Sequence, residues 1–330
     1  MSQKKSVSIV IPNFNGSNLL KQYLPFTIEA IENENIPYEI IVVDDASTDD
    51  SIGFLKQNFP QIILLQNKVN KGFSYTCNKG LEAARYELCL FLNSDVKLTP
   101  TYFSDQWKYF QHEDTFGVMG RMLTRDGKKI EGAAKVPVLK GFKLKVNQQY
   151  YSAVVNQDST PTIFLSGANS LVVTEKMREL GGFDEIFAPF YSEDLDLGLR
   201  TWRVGWKSYY EHKSICYHLG SHTIKSACKK RKMKSIYFRN RMLLHAIHTE
   251  QKDLPLWKIQ LFIFEVIPKF LTGNFWILKS FLDYRKYQDE IENSRKSLKI
   301  LMKDHNSDTT ILDLENEFAE SLSLQAPIFI

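Results

Sequence analysis

The segment Glu87-Leu-Cys-Leu-Phe-Leu-Asn-Ser-Asp95 decides the predicted fold, because an uninterrupted apolar run ends abruptly in two polar side chains. Such a run without alternation is typical of a parallel strand covered on both faces. In open α/β sheets, ligands bind beyond the carboxyl ends of these strands. Asn93 and Asp95 are therefore predicted to face a cleft and a hard cation such as Mg²⁺ or Mn²⁺. The alternative is a polar turn in which Asp95 or Thr99 caps a helix that Pro100 begins.

Three more strand-like segments precede this one and alternate with helix-like segments. The strands are predicted at residues 6–11, 39–43 and 62–65, and helices follow them to about residues 33, 59 and 85. Strands that alternate with helices predict an α/β fold with a mostly parallel, doubly wound sheet flanked by helices. In this scheme Pro12 ends the first strand.

Composition describes an ordinary globular chain with a local basic patch. The 330 residues are 43% apolar and 24% charged, with a net charge of +4. Residues 225–241 alone carry eight basic side chains and no acid, so the rest of the chain is acidic on balance. This local patch would suit a diphosphate or anionic lipid headgroups, or it forms a solvated helix face. Nucleic acid is disfavoured as a partner, because the rest of the chain is acidic on balance.

The cysteines and the N-terminus favour the cytoplasm. The four cysteines have neither C-x-x-C spacing nor the density of a disulfide scaffold. The first residues, Met-Ser-Gln-Lys-Lys, lead straight into a strand-like run, unlike a secretory signal with its longer apolar core.

After Asp95 the alternation weakens. A short strand is predicted at residues 116–120, and residues 125–157 are predicted to form hairpins or a mobile loop. Residues 163–173 indicate a strand interrupted at Gly167. We expect this half to build the wall for a second substrate.

Two acidic pairs are candidate chemical groups. Asp44 and Asp45 follow a strand, where a carboxylate could accept N–H groups of a nucleobase lying against residues 12–15; alternatively, both acids only begin the next helix. Glu193 and Asp194 open a helix after an aromatic, proline-containing loop, so one could act as a general base with a pKa raised by its apolar surroundings. The alternative is that they only interact with the helix dipole.

Histidines offer a further ligand to the cation. His212, His218 and His222 lie close together in sequence, and an imidazole from this group could complete the shell around Asp95. Their spacing matches no fixed metal motif.

In combination and order, these segments resemble glycosyltransferase family 2, the inverting nucleotide-sugar transferases of the GT-A fold. Residues 7–16, Val-Ser-Ile-Val-Ile-Pro-Asn-Phe-Asn-Gly, resemble its first strand and nucleotide loop, and Ile-Val-Val-Asp-Asp-Ala-Ser-Thr-Asp its base-binding segment. Leu-Phe-Leu-Asn-Ser-Asp resembles the D-x-D element, and Ser-Glu-Asp-Leu-Asp-Leu-Gly-Leu-Arg the acceptor-side block. The match covers roughly residues 6–245.

The resemblance implies roles for particular residues. Asp95 and His218 would hold Mg²⁺ or Mn²⁺, Asp194 would be the catalytic base, and Glu193 and Gly167 would lie on the acceptor side. The nucleotide sugar would contact a set of donor-side residues: Pro12, Asn13, Asn15, Asp45, Lys71 and Asn93. Asn93 departs from the family pattern, because the first acid of D-x-D is an asparagine, which coordinates only through its carbonyl oxygen.

The resemblance also implies a domain plan and an activity. Residues 1–250 would form the GT-A domain, with a nucleotide-sugar-binding half at 1–98 and an acceptor-binding half at 99–250. The expected reaction moves a sugar from a nucleoside diphosphate sugar to a hydroxyl of a glycan or lipid-linked glycan, in bacterial-type surface polysaccharide synthesis. The alternative is a non-catalytic nucleotide-sugar-binding or scaffold protein on the same fold. A dehydrogenase is disfavoured, since Pro12 to Gly16 is not a G-x-G-x-x-G turn.

Residues 251–330 are predicted to be a helical extension that associates with a membrane or with a second copy. A helical projection of residues 254–271 confines its charges to a narrow stripe, and the remaining surface is apolar. Pro268 and Gly273 should kink or end this helix. We expect a peripheral position on the cytoplasmic face of the membrane; the alternative is that these helices pack on the catalytic domain or across a homodimer. The tail after His305 supports no prediction.

Overall fold

The computed structural model describes residues 3–146, 148–152, 159–219 and 230–330. Its N-terminal part alternates strands and helices, as predicted. These elements are β1 (Val7–Asn13), α1 (Ser17–Glu32), β2 (Tyr38–Asp44), α2 (Ser51–Asn58), β3 (Ile63–Gln66), α3 (Phe73–Ala83) and β4 (Leu88–Leu92).

The second half adds strands of mixed direction and short helices. Its strands are β5 (Val96–Leu98), β6 (Thr115–Thr124), β7 (Ile130–Gly132), β8 (Ala134–Lys135), β9 (Val138–Lys140), β10 (Lys143–Lys145), β11 (Gln149–Ser152), β12 (Thr160–Pro161), β13 (Asn169–Val173) and β14 (Lys207–His218). Its helices are α4 (Thr174–Glu179) and α5 (Glu193–Arg203), with 3₁₀ turns at Trp107–Gln111 and Glu185–Phe187.

A ten-stranded sheet organises the molecule, with its main strands in the order β12-β14-β6-β13-β4-β1-β2-β3. The pairs among β1 to β4 are parallel, whereas β13 runs antiparallel to both β4 and β6. Every residue of β4 is buried, because helices cover both faces of the central strands. The predicted mostly parallel α/β sheet is confirmed.

Strand β1 continues through Pro12, which was predicted to end it. Pro12 is opposite Val43 of β2, but β4 pairs with β1 only as far as Val10. Beyond Val10 the strand has a free edge, where a residue without an N–H is tolerated. The predicted strand at 163–173 is also shorter, since only β13 is extended.

No helix begins at Pro100. Instead Asp95 leads into β5, whose register with the end of β14 pairs Val96 with His218. The Thr99 hydroxyl donates to the carbonyl of Ile215 at 2.8 Å rather than capping a helix. The predicted hairpins at 125–157 appear as short strands, although residues 147 and 153–157 lie outside the described residues.

The C-terminal region is helical, as predicted. It contains α6 (Lys230–His248), α7 (Leu254–Leu261), a π-helical turn (Phe262–Val266), α8 (Ile267–Leu271), α9 (Trp276–Tyr284), a 3₁₀ turn (Arg285–Tyr287), α10 (Gln288–Asp304), α11 (Ile311–Gln325) and β15 (Pro327–Phe329). The predicted kink at Pro268 is instead the preceding π turn, because proline has no N–H for the carbonyl of Phe264. The helix ends before Gly273, which has a φ of 77°.

The last helices pack on α5 and α6. Phe318 of α11 is buried against Trp202 of α5, with ring centroids 4.6 Å apart. Arg295 of α10 donates to three carbonyls at the end of α6, those of Ala246, Ile247 and Thr249. The tail that supported no prediction thus completes the core.

Among the described residues, no helix has both the length and the apolar character needed to cross a membrane. Cys77, Cys89 and Cys216 are buried and free, while Cys228 lies outside the described residues.

Candidate functional site

A cleft of about 370 Å³ opens beyond the carboxyl ends of β1, β2 and β4. One wall comes from these strands, and the other from the loop that precedes α5. The cleft brings together nine predicted site residues: Pro12, Asn13, Asp45, Asn93, Asp95, Gly167, Glu193, Asp194 and His218. The predicted donor residues Asn15 and Lys71 are not among its lining residues.

Asp45 is buried at the edge of the cleft and is already well bonded. One carboxylate oxygen accepts from the Asn67 amide and the Lys71 backbone N–H, each at 2.8 Å, and the other accepts from the Gly72 N–H at 2.9 Å. Asp45 therefore orders the loop at 67–72 as well as lining the cleft. Lys71 contributes its backbone, because its ammonium group lies over the ring of Tyr75.

The side chains of Asn13 and Asn15 differ in the hydrogen-bonding capacity that the fold leaves unused. The Asn13 amide donates to Asp44 at 2.9 Å, while its carbonyl oxygen is buried without a partner among the described residues. Asn15 has a φ of 51° and its side chain accepts from the Thr48 N–H at 2.8 Å. Asn13 thus presents an unused acceptor, whereas Asn15 stabilises the turn.

Asp95 and His218, the predicted metal ligands, lie close together in the cleft. Nε2 of His218 lies 3.4 Å from Oδ2 of Asp95, and Nδ1 lies 2.8 Å from Oε2 of Glu131. Burial lowers the pKa of His218, but the two carboxylates outweigh this effect and raise it to about 8. The antiparallel pairing of β5 with β14 creates this contact.

The side chains around Asp95 suit a cation whose remaining coordination positions are filled by a substrate. No cluster of three or more His, Cys, Asp or Glu side chains suited to a metal occurs in the described part of the chain. Mg²⁺ is commonly held by one or two protein carboxylates together with substrate phosphates and water. The donor set of Asp95 and His218, with the Asn93 carbonyl in the same cleft, has this incomplete character.

The first turn of α5 brings two acids, Glu193 and Asp194, to the cleft. Burial raises the pKa of Asp194, and the nearby Lys135 ammonium offsets part of that rise. Burial and the adjacent Asp194 raise the pKa of Glu193 well above its usual range. Oε2 of Glu193 is buried without a hydrogen-bond partner among the described residues. Both acids therefore face the cleft in surroundings that favour taking up a proton.

The loop before α5 is held in an uncommon conformation. Tyr191 and Ser192 have φ values of 80° and 77°. Such strain persists only where surrounding contacts impose it. Asn240 of α6 supplies them, since its amide donates to the carbonyls of Phe187, Phe190 and Tyr191 at 2.5, 2.9 and 2.8 Å.

Asp196, two residues beyond Asp194, faces the core instead. Arg200 and His248 donate to its two oxygens at 2.7 and 2.8 Å. Burial raises the pKa of Asp196, but the charge of Arg200 and the bond from His248 outweigh it and hold the pKa below its usual range. Arg200 also donates to the carbonyl of Gly182 at 3.0 Å, so this acid anchors the preceding turn.

Gly167 allows a close approach within the cleft wall. A Cβ atom at this position would lie 2.6 Å from the ring of Phe73, which also lines the cleft. A side chain here would displace that ring, so the residue is a steric requirement.

The predicted histidine cluster is only partly assembled. His218 meets Asp95, but His212 points elsewhere, 2.7 Å from an Arg121 nitrogen and stacked on Tyr151. Burial lowers the pKa of His212 to about 4, so this ring is neutral. His222 lies outside the described residues.

Sequence reasoning missed Glu131, Lys135 and Asn240. Glu131 and Asn240 act on residues that lie 87 and about 50 positions away in the chain. None of the three belongs to a short motif. Only the three-dimensional pairing brings them to the site.

The family model described as "Glycosyl transferase family 2" matches residues 8–181, and a second, "Glycosyl transferase family group 2", matches residues 133–279. Chondroitin synthase of Escherichia coli is 23% identical over 240 residues, which cover 64% of this chain and 34% of that protein. N-acetylglucosaminyl-diphospho-decaprenol L-rhamnosyltransferase of Mycobacterium tuberculosis is 24% identical over 210 residues, 57% of this chain and 68% of that protein. The chain thus spans about a third of the first relative.

Solved structures show the same fold. GalNAc-T7 with UDP, GalNAc and Mn²⁺ matches with a TM-score of 0.67 and 13% identity, over 97% of this chain and 57% of that one. The mannosyltransferase PcManGT from Pyrobaculum calidifontis, in complex with GDP-Man and Mn²⁺, matches with a TM-score of 0.53 and 15% identity. The match covers 98% of this chain and 85% of that one. Together with the family match over more than half of its length, these likenesses show that the chain belongs to glycosyltransferase family 2 and has the GT-A fold.

Proposed function

We propose that this protein is a metal-dependent, inverting glycosyltransferase. It moves a sugar from a nucleoside diphosphate sugar to a hydroxyl group of a glycan or lipid-linked glycan. The observation that carries the proposal is one cleft lined both by Asp95 and His218, which suit a cation, and by Asp194, which suits a base. Such a cleft offers a site for a leaving diphosphate and a base for the incoming hydroxyl.

The donor binds along the strand ends. Its base lies against Pro12 and Asn13, where the unused carbonyl of Asn13 accepts a hydrogen bond. Asp45 contributes a remaining lone pair beside the loop that it orders. Its diphosphate lies near Asn93 and Asp95. The UDP and GDP-mannose complexes of the two structural relatives support a nucleotide sugar in this place.

A divalent cation, Mg²⁺ or Mn²⁺, would be held by Asp95 and His218 and would neutralise charge on the departing diphosphate. Asn93 is neutral where an aspartate would carry a negative charge. The oxygens of the diphosphate would supply that charge and complete the coordination of the cation. Asp95 would act on the diphosphate only as a ligand of the cation, and Glu131 orients the His218 ring through Nδ1.

Asp194 takes the proton from the acceptor hydroxyl. Its raised pKa makes it a better proton acceptor than an exposed aspartate, and the Lys135 charge favours its ionised form. Attack from the acceptor side, opposite the diphosphate, inverts the anomeric centre. Glu193 and Gly167 shape the acceptor side of the cleft.

The biological role that we propose is surface polysaccharide synthesis at the cytoplasmic face of the membrane. Support comes from the names of relatives, which include a chondroitin synthase and a rhamnosyltransferase whose name contains a diphospho-decaprenol. The exposed apolar side chains of the C-terminal helices support a peripheral position.

The test is a donor screen followed by product analysis. Thermal-shift measurements with UDP-, dTDP- and GDP-sugars and Mn²⁺ should identify a donor that raises the melting temperature, because a ligand that binds only the native state stabilises it. NMR of the product should show the inverted anomeric configuration. A retained configuration would contradict the mechanism, and binding without turnover across a panel of acceptors would favour a non-catalytic binding protein.

A further inference from the structure

A second cavity, of about 210 Å³, lies among the β9–β10 hairpin, α6 and α7 with the π turn that follows it. Its lining combines aromatic rings with an excess of cations. The residues are Lys140, Lys143, Lys145, Phe238, Arg241, Met242, His245, Trp257, Gln260, Leu261, Phe264 and Glu265. We call it the basic pocket.

The single acid that lines the basic pocket is already neutralised. Glu265 pairs with Lys143 and lies 3.6 Å from the Lys269 ammonium. Within the described ranges, no carboxylate lies at ion-pairing distance from Lys140, Lys145 or Arg241. Three positive charges therefore remain for an anion.

His245 does not add to this charge. Its Nδ1 contacts the Arg241 carbonyl at 2.6 Å, and its Nε2 accepts from the Leu144 N–H at 3.1 Å. Both ring nitrogens are used within the fold. The ring instead stacks on Trp257 and fixes the wall of the basic pocket.

The basic pocket lies next to the catalytic cleft. Tyr191 lines the cleft, and its ring centroid is 5.8 Å from that of Tyr237 on α6. The Arg241 guanidinium lies 5.6 Å from the centroid of the Tyr237 ring. Two successive side-chain contacts, Tyr191 to Tyr237 and Tyr237 to Arg241, thus connect the lining of the cleft to a cation of the basic pocket.

An apolar surface continues from the other side of the basic pocket. Phe264 lines the pocket and is 72% exposed. It adjoins a face of α7, the π turn, α8 and α9 whose large apolar side chains are exposed: Leu256, Ile259, Phe262, Ile263, Ile267, Phe270, Leu271, Phe275, Leu278 and Leu282. We call this face the apolar ledge; contiguous exposed apolar surface of this kind marks an interaction site.

We propose that the basic pocket binds the phosphate of a lipid-linked acceptor, whose hydrocarbon chain runs along the apolar ledge into a bilayer. This inference rests on the proposed function and names its acceptor class. A phosphate suits the pocket because Arg241 and the lysines can donate charge-assisted hydrogen bonds to its oxygens. The order of cleft, cations and apolar ledge matches the order of sugar, phosphate and hydrocarbon in such an acceptor.

The test is vesicle flotation in excess EDTA, which leaves the cation-dependent donor end unable to hold a phosphate. Three vesicle types are compared: phosphatidylcholine alone, with polyprenyl phosphate, and with the same mole fraction of phosphatidylglycerol. The pocket variant is Arg241→Gln/Lys145→Gln. The matched control, Lys296→Gln/Lys299→Gln, removes two exposed charges from α10.

The native protein should bind polyprenyl phosphate vesicles more tightly than phosphatidylglycerol vesicles. The pocket variant should bind the former about tenfold more weakly, the scale of a lost charge-assisted hydrogen bond, while the control is unchanged. Equal losses in both variants, or equal binding to both anionic vesicles, would overturn the proposal in favour of general surface charge. If the double variant unfolds, Lys145→Gln alone serves, since this side chain is partly exposed.

Failure of this inference differs from failure of the proposed function. Flotation does not require turnover, so selective binding without any sugar transfer would contradict the function alone. Transfer by a protein that binds both anionic vesicles equally would contradict only the inference.

Discussion

Acidic side chains have raised pKa values in the cleft and a lowered pKa in the core beneath it. Helix α5 contributes acids to both regions. In the cleft, Glu193 and Asp194 have raised pKa values, because burial dominates and the Lys135 charge offsets only part of its effect on Asp194. In the core, Asp196 has a lowered pKa, because Arg200 and His248 bond both of its oxygens. The acids left without full compensation are those that line the cleft.

The acids in the first turn of α5 have two different environments. Three acids occur in the first turn of α5, and a helix dipole would favour all of them equally. Their partners, not their positions in the sequence, divide them into two acids that line the cleft and one that is bonded within the core.

Asp95→Ala should have the largest effect on transfer. A metal contributes several kcal/mol of charge stabilisation, so its loss should lower transfer about 10³-fold while the fold persists. Transfer assays with a manganese titration check this. Full activity of the variant in excess chelator would contradict the assignment of Asp95.

Asp196→Ala should act on stability. Removing one partner from a buried ion pair costs about 3–5 kcal/mol, because the other charge is left buried. Denaturant unfolding should show this loss, and the matched variant Asp194→Ala should show little or none. Equal losses in the two variants would remove the distinction between cleft and core.

Lys135→Gln should move the acid limb of the pH–rate profile. Asp194 acts as a base only when ionised, so transfer falls as pH drops through its raised pKa. The Lys135 charge favours ionisation, and its removal raises that pKa further. The acid limb of kcat/KM should therefore shift to higher pH. An unchanged limb would show that another group limits the rate.

Glu193→Gln should have the smallest effect on transfer and a pH-dependent effect on stability. A carboxyl whose pKa is raised on folding stabilises the native state fully below its unfolded pKa, and that contribution is lost as pH rises through the folded value. Each tenfold change in the acid constant corresponds to about 1.4 kcal/mol. The variant should gain stability relative to the native chain as pH rises; a constant difference would contradict burial as the cause.

Much of the donor half could be predicted from sequence, because its information is local. Uninterrupted apolar runs give buried parallel strands, and the polar residues that follow them, Asp45 and Asp95, lie at the cleft as expected. The short strands of the second half carry weaker patterns. Their pairing partners lie far away in the chain, so the sequence predicted hairpins but not their register.

The residues that hold the site in place could not be predicted, because their partners are brought together only by the tertiary fold. Lys71 looked like a donor-binding cation, yet its backbone N–H bonds Asp45 and its ammonium group lies over Tyr75. Asn240 belongs to no short motif, yet it holds the loop before α5. Such roles depend on tertiary contacts that no local spacing encodes.

The most direct test of the central claim is Asp194→Asn, with transfer rate and nucleotide affinity measured on the same preparation. The account predicts a loss of transfer of about 10²-fold or more, the usual scale for a general base, with nucleotide affinity and melting temperature unchanged. Native-like transfer by the variant, or a nucleotide affinity that collapses together with transfer, would contradict the claim that Asp194 is the acceptor-side base.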